Sequence, residues 1–90
     1  MTEQEKTKVE NLKETLPTWA RMELDLMEDN KPERLQRLLK EEKLEEWLMR
    51  TQKEKSEMQT ELCQQGYNDL EADEIVRRDL LEEYLPEMFS

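Results

Sequence analysis

The chain has 90 residues, of which 42 % are charged and only 34 % are hydrophobic, and its formal net charge is −10. This length suits one small domain with a thin stability margin. The absence of histidine removes the commonest general base and transition-metal ligand, the single cysteine excludes an internal disulfide, and the single glycine excludes a glycine-rich phosphate loop. We therefore expect no enzyme and no cofactor or metal.

The residue types favour helices throughout. Valine and isoleucine together number three, whereas the helix-favouring Leu, Met, Glu, Lys, Gln and Arg are abundant. The sequence predicts an all-α fold, a small bundle of about four helices with the third the longest, as one domain over residues 1–90. Residues 1–15 are expected to form a frayed helix or a docked arm. Residues 86–90 are expected to form a tail, in which Met88 and Phe89 have no obvious packing site.

The first helix of the predicted bundle follows Pro17, which suits a first helical turn because it lacks an N–H group. Its wide apolar arc is typical of a helix with more than one neighbour. The arc consists of two adjacent stripes, Trp19, Met22 and Leu26, and Ala20, Leu24 and Met27. Asn30 and Glu33 have the spacing of a capping box, which predicts the start of the second helix.

The second helix presents Leu35, Leu38 and Leu39, and Leu44 then points about 180° away from Leu35. This change of face predicts a break within residues 40–43, although a continuous helix in an oligomer could use two faces.

The long third helix follows the break. Its stripe has the spacing 4-3-4-3-4 and consists of Leu44, Leu48, Thr51, Lys55, Met58 and Leu62. Gly66 is placed to end this helix as the left-handed C′ residue of a Schellman motif, with Tyr67 touching Leu62. Asn68 and Glu71 have a second capping-box spacing, which predicts a last helix that runs to about Leu85. The side chains that this helix is expected to bury are Leu70, Val76, Leu80, Leu81 and Tyr84.

Most of the net charge lies in the last third of the chain. Residues 1–31, 32–56 and 57–90 carry −3, +1 and −8. A helix with a carboxylate at nearly every second position has a linear charge density comparable to that of duplex DNA, about one charge per 1.7 Å. Such a surface attracts basic proteins, although an acidic face can also serve only solubility. The predicted partner-binding residues are Glu57, Glu61, Asp69, Glu71, Asp73, Glu74, Asp79, Glu82 and Glu83.

Other clusters give weaker functional signals. Asp69, Glu71 and Asp73 alternate as in a calcium loop, but Glu74 and Leu80 replace the glycine and glutamate that such a loop requires. Cys63 has no imidazole partner in the sequence and is interpreted as an unreactive thiol. Four bases near the predicted break could contact phosphates, but acidic residues are interleaved among them. These bases are Arg34, Arg37, Lys40 and Lys43.

Two segments carry a family resemblance. The first runs from Leu38 to Leu48 and reads Leu-Leu-Lys-Glu-Glu-Lys-Leu-Glu-Glu-Trp-Leu, and the second begins Ala-Asp-Glu-Ile-Val at Ala72 and continues to Leu80 and Leu81. Together with Leu26 they resemble the small transposon-encoded proteins of the TnpV type, over about half of the chain. In that family the turn normally carries a glycine, where this chain has Glu42. The resemblance implies a small helical protein of a bacterial mobile element, and it implies no catalytic residue.

These observations predict a protein-binding module that inhibits a basic nucleic-acid-binding host protein. By size and charge it is similar to the inhibitors that mobile elements and phages deploy against CRISPR nucleases. One alternative is a homo-oligomeric helical adaptor or regulator, with a possible homodimer, and another is a weak DNA-binding regulator. The sequence has neither an apolar run long enough to span a membrane nor a signal-peptide core, so we expect a cytoplasmic protein without a membrane partner.

Overall fold

The computed structural model describes residues 2–88, which form five α-helices and one short 3₁₀ helix. The helices are α1 (Glu3–Thr15), α2 (Thr18–Asn30), α3 (Pro32–Lys40), α4 (Leu44–Gln64) and α5 (Asp69–Tyr84), and the 3₁₀ helix is Pro86–Met88. None of the described residues lies in a strand, so the predicted all-α class is confirmed. The longest helix is the predicted one, but it is fourth in order because residues 3–15 form a helix of their own.

Helix α1 is a regular helix that packs against α2, where the sequence left open a frayed helix or a docked arm. A capping box starts it: the Glu5 N–H donates to Thr2 Oγ1 at 3.2 Å, and the Thr2 N–H donates to Glu5 Oε1 at 2.9 Å. Val9 is buried, and Lys13 Nζ lies 2.8 Å from Glu28 Oε1 on α2. Apolar contact and an ion pair therefore hold α1 against α2.

Helix α2 lies at the centre of the bundle and packs against each of the other four α-helices. This position explains its wide apolar arc, because several neighbours cover it. Ala20, Leu24 and Met27 are completely inaccessible to solvent. The core of the described residues consists of Val9, Leu12, Leu16, Trp19, Ala20, Leu24, Met27, Leu35, Leu38, Leu39, Leu44, Leu48, Val76, Leu80 and Tyr84.

Two Schellman motifs end α3 and α4. At the first, the Lys43 N–H donates to Leu38 O at 2.9 Å and Glu42 has φ 57°. At the second, the Tyr67 N–H donates to Leu62 O at 3.2 Å and Gly66 has φ 109°. The predicted break at residues 40–43 and the predicted stop at Gly66 are both confirmed. The first turn places a glutamate where a left-handed conformation favours glycine.

The helix starts follow the sequence predictions only in part. The capping box of Asn68 and Glu71 is present, with the Glu71 N–H donating to Asn68 Oδ1 at 2.8 Å. The predicted box at Asn30 is wrong, because Asn30 stays within α2 and its Nδ2 donates to Leu26 O at 3.0 Å. Lys31 is therefore the N-cap of α3, and it supplies no side-chain cap.

Pro17 is the N-cap of α2 and precedes its first turn by one residue. Because proline has no side-chain acceptor, the α2 terminus is capped from another helix. Gln52 Oε1 on α4 accepts from the Trp19 N–H at 2.8 Å and from the Ala20 N–H at 3.1 Å. This long-range cap ties the start of α2 to the middle of α4.

The end of the α4–α5 hairpin lies at the edge of the bundle. No side chain from Ser56 through Glu71 is buried, and the molecule is elongated, with principal extents of 46 × 29 × 18 Å. At the C-terminal end Met88 is 71 % exposed, in agreement with the predicted lack of a packing site. Phe89, the other apolar residue for which no packing site was predicted, lies outside the described residues.

Candidate partner-binding surface

A strongly acidic surface is formed by the end of α4, the turn at Gly66 and the start of α5. Residues 56–76, named here the acidic hairpin, contain six carboxylates and no lysine or arginine. Met58 and Leu62 pack against the core, but most of the side chains of the acidic hairpin are exposed to solvent. The carboxylates are Glu57, Glu61, Asp69, Glu71, Asp73 and Glu74.

Three of the nine predicted binding carboxylates form ion pairs within the chain. Lys55 Nζ lies 2.7 Å from Asp79 Oδ2 and 3.2 Å from Glu83 Oε1, and the Lys55 side chain is 8 % exposed. Burial disfavours its charge, but the hydrogen bonds to the two carboxylates outweigh that effect and raise the pKa of Lys55. Asp73 pairs with Arg77 at 3.2 Å. The part of α5 beyond Val76 therefore offers less free negative charge than its sequence suggests.

Two further carboxylates stabilise the start of α5. Glu71 belongs to the capping box, and Asp69 lies in the same first turn. Negative charge there interacts favourably with the positive end of the helix dipole. Asp69 Oδ1 also accepts a hydrogen bond from Cys63 Sγ at 3.5 Å. Desolvation and then this contact raise the pKa of the Cys63 thiol, which supports the interpretation of Cys63 as unreactive.

The remaining four predicted carboxylates are exposed and form no ion pair with another described residue. Glu57, Glu61 and Glu74 lie on the acidic hairpin, and Glu82 lies near the end of α5. The three hairpin residues are thus the predicted site residues most free to meet a partner.

A buried polar cluster between α2, α4 and α5 was not anticipated from the sequence. Glu23 is 2 % exposed and accepts a hydrogen bond from Thr51 Oγ1 at 2.8 Å. Burial is the main reason that the pKa of Glu23 is raised. Burial and then the nearby Glu23 charge raise the pKa of Tyr84 to about 12, and the Tyr84 hydroxyl has no hydrogen-bond partner among residues 2–88.

The bases of the predicted phosphate-binding cluster are spread over different environments. The Arg34 guanidinium lies 5.7 Å from the ring centroids of both Trp47 and Tyr84, so cation–π contacts hold it against the bundle. Arg37 and Lys43 line a surface groove of about 510 Å³, which Lys40 does not line. Sequence reasoning missed Arg50 as a third base in this groove, and Glu41 and Glu46 oppose the three bases.

The described residues contain no group of three or more Cys, Asp or Glu side chains arranged to hold a metal ion. Between residues 2 and 88, no helix is both long enough and apolar enough to cross a membrane.

No family model matches this chain, and no curated protein or solved structure matches it either.

Proposed function

We propose that this chain is a non-enzymatic protein-binding module of a mobile element or phage. It acts as an acidic, nucleic-acid-mimicking inhibitor that occludes a basic nucleic-acid-binding surface of a host protein, such as a CRISPR nuclease. The acidic hairpin carries the proposal, because residues 56–76 hold six carboxylates and no base. A surface of one sign in this position repels nucleic acid and attracts the basic channels that bind it.

The geometry of the acidic hairpin supports an electrostatic mechanism. Its two helices run side by side and present carboxylates from both. Successive residues rise about 1.5 Å along each helix, so the charges are spaced on the scale of DNA phosphates. Association with a basic partner would be fast at low salt and would weaken as the ionic strength rises.

The internal ion pairs refine which carboxylates carry the proposed activity. Glu83 and Asp79 already bind Lys55, so a charge reversal there would also disrupt the contact between α4 and α5. Glu57, Glu61 and Glu74 are exposed and unpaired among the described residues. Within the acidic hairpin, they are therefore the residues at which charge can be changed without touching the fold.

The resemblance to TnpV-type proteins agrees with an origin on a bacterial mobile element. The proposal places the protein in the cytoplasm, where nucleases meet their substrates and where the single thiol of Cys63 stays reduced.

The structure offers less support for the rival functions. An oligomeric adaptor was expected to use the apolar arcs of the first and third predicted helices, now α2 and α4, as its interface. Trp19 on α2 is 3 % exposed and Trp47 on α4 packs against the core, so both arcs pack within the protomer. A DNA-binding regulator would need unopposed positive charge, and the groove at Arg37 and Lys43 also contains Glu41 and Glu46.

The proposal is tested with purified CRISPR nucleases loaded with guide RNA. Cleavage of a target duplex is measured with the chain added either before or after the DNA. We expect inhibition at once when the chain is added first, inhibition that develops only as the DNA dissociates when the DNA is added first, and weaker inhibition at high salt. The variant with Glu57→Gln, Glu61→Gln and Glu74→Gln should inhibit less. If the chain inhibits none of these nucleases and displaces no duplex DNA from them, the proposal is wrong.

A further inference from the structure

Among the described residues, the exposed large apolar side chains are Met49, Tyr67, Leu70 and Met88. Two of these four lie only three residues apart, at the turn of the acidic hairpin. Leu70 is 70 % exposed and Tyr67 is 41 % exposed. The end of the most acidic element therefore also presents apolar surface to solvent.

The sequence-based prediction that Leu70 is buried is wrong, and the local structure gives the reason. Leu70 is the second residue of α5, whereas Ala72 and Val76 on the same helix are completely buried. At about 100° per residue, Leu70 lies roughly 160° from Ala72 and 120° from Val76 around the helix axis. Leu70 thus lies outside the packed face of α5.

The position of Tyr67 follows from the Schellman motif that ends α4. Tyr67 is the residue after Gly66, and its backbone N–H closes the turn on Leu62 O. The backbone contact holds the residue at the end of the hairpin, and its ring remains partly exposed. Asp69 and Glu71 flank Leu70 in the sequence, so a carboxylate lies on either side of Leu70 along α5.

We propose that Tyr67 and Leu70 form an apolar anchor at the end of the acidic hairpin, and that the anchor docks on a basic protein surface which contains an apolar patch. This inference rests on the proposed function and specifies the chemistry of its partner. Exposed charge pairs mainly steer association, whereas a desolvated apolar contact at the centre of an interface supplies lasting affinity.

The charge of the acidic hairpin argues for a basic partner over a second copy of the chain. Two copies that met through this end would bring together two segments, each with six carboxylates and no base. Like charges placed opposite each other oppose such a contact. A lysine-rich or arginine-rich surface with an apolar patch satisfies both features of the hairpin end.

The test uses two synthetic helical peptides that carry identical lysines. One peptide has leucine along its other face, and the second has glutamine at those positions. Affinities for the wild-type chain are measured by fluorescence anisotropy at low and at physiological ionic strength. At physiological ionic strength we expect the leucine peptide to bind about tenfold more tightly than the glutamine peptide, because burial of Leu70 favours only the first.

Two variants and a matched control test whether Leu70 and Tyr67 cause the preference for the leucine peptide. Leu70→Ser should remove most of it, and Tyr67→Ser should reduce it, while both variants keep the wild-type circular dichroism spectrum. Met49→Ser is the control, because Met49 is 44 % exposed on α4 and lies outside the acidic hairpin. It should leave the preference unchanged.

The possible failures are distinguishable. If the wild-type chain binds both peptides equally, or if Leu70→Ser keeps the preference, the anchor is wrong and the proposed electrostatic function still stands. If neither peptide binds at low ionic strength, the proposed function itself is contradicted along with the anchor. A dimer in sedimentation analysis that Leu70→Ser dissociates would overturn the inference in favour of a second copy.

Discussion

The Nζ atom of Lys55 lies 2.7 Å from Oδ2 of Asp79, and this ion pair joins α4 to α5. Lys55 occupies a position of the apolar stripe of α4 and is 7 % exposed, so a charged group replaces a core side chain there. Lys55 also neutralises part of the negative charge of α5, since it contacts both Asp79 and Glu83. The same contact therefore stabilises the bundle and concentrates the free carboxylates in the acidic hairpin.

Lys55→Met should lower the free energy of unfolding by about 1–3 kcal/mol. This change retains most of the buried volume and leaves Asp79 and Glu83 unpaired; the loss is smaller than for a fully buried pair, because both carboxylates are partly solvated. Urea denaturation measures the effect. The exposed neighbour Lys53 provides the control, and Lys53→Met should change stability little. Equal stability of the two variants would contradict the role of the ion pair.

Glu23→Gln should change the pH dependence of stability. Burial raises the pKa of Glu23 in the folded chain above its ordinary value of 4.5. The stabilising contribution of protonated Glu23 is therefore complete below pH 4.5 and is lost as the pH rises through the folded pKa. The variant lacks this loss, so it should exceed the wild type in stability at neutral pH and approach it in acid. Thermal unfolding across this range measures the difference, and a constant difference would contradict the prediction.

Substitutions at the two turn residues with left-handed backbone conformations should have opposite effects on stability. Glu42→Gly should stabilise the chain by about 0.5–1 kcal/mol, because relief of the left-handed strain outweighs the added freedom of the unfolded chain. Gly66→Ala should destabilise it by about 1 kcal/mol, since a Cβ atom at φ 109° is strained although it meets no other atom within 4 Å. Urea midpoints compare the two variants. A destabilising Glu42→Gly would show that the turn does not strain the glutamate.

Gln52→Ala should destabilise the chain by about 1–2 kcal/mol, because it removes the acceptor for two N–H groups at the start of α2. Gln64→Ala is the matched control, since Gln64 is an exposed residue of the same helix. Amide hydrogen exchange should localise the effect, with faster exchange at Trp19 and Ala20. Unchanged exchange at these two amides would contradict the long-range cap.

The fold was largely predictable because the helical elements obey local rules. The change of face between Leu35 and Leu44 predicts the break, and Gly66 predicts the end of the long helix. The box at Asn30 failed because Asn30 donates to the carbonyl of Leu26 and remains helical, a choice that sequence spacing alone does not decide. The sequence left open whether α1 is frayed or docked because its apolar residues are few; a capping box and the contact of Lys13 with α2 add to them.

The candidate site was less predictable, because periodicity indicates which side chains share a face but not which charges pair across helices. Lys55 stood out as an interruption of a stripe, yet its partners Asp79 and Glu83 were interpreted as free binding residues. Their spacing of one helical turn could have suggested a shared cation. Glu23 lies on the same face as Ala20 and Met27, and only the packing of α4 and α5 over that face makes it buried.

The central claim is that the acidic hairpin, and not the net charge of the chain, binds a basic nucleic-acid-binding surface. Two variants that each lose three carboxylates separate these possibilities. The hairpin variant carries Glu57→Gln, Glu61→Gln and Glu74→Gln. The control variant carries Glu10→Gln, Glu14→Gln and Asp29→Asn, at exposed positions of α1 and α2.

The deciding measurement is the concentration of each variant that displaces fluorescent duplex DNA from an inhibited nuclease. The account predicts that the control variant acts like the wild type. The hairpin variant should require a concentration at least about ten times higher for the same displacement, because the three carboxylates that it lacks face the partner. Equal displacement by the two variants would contradict the account.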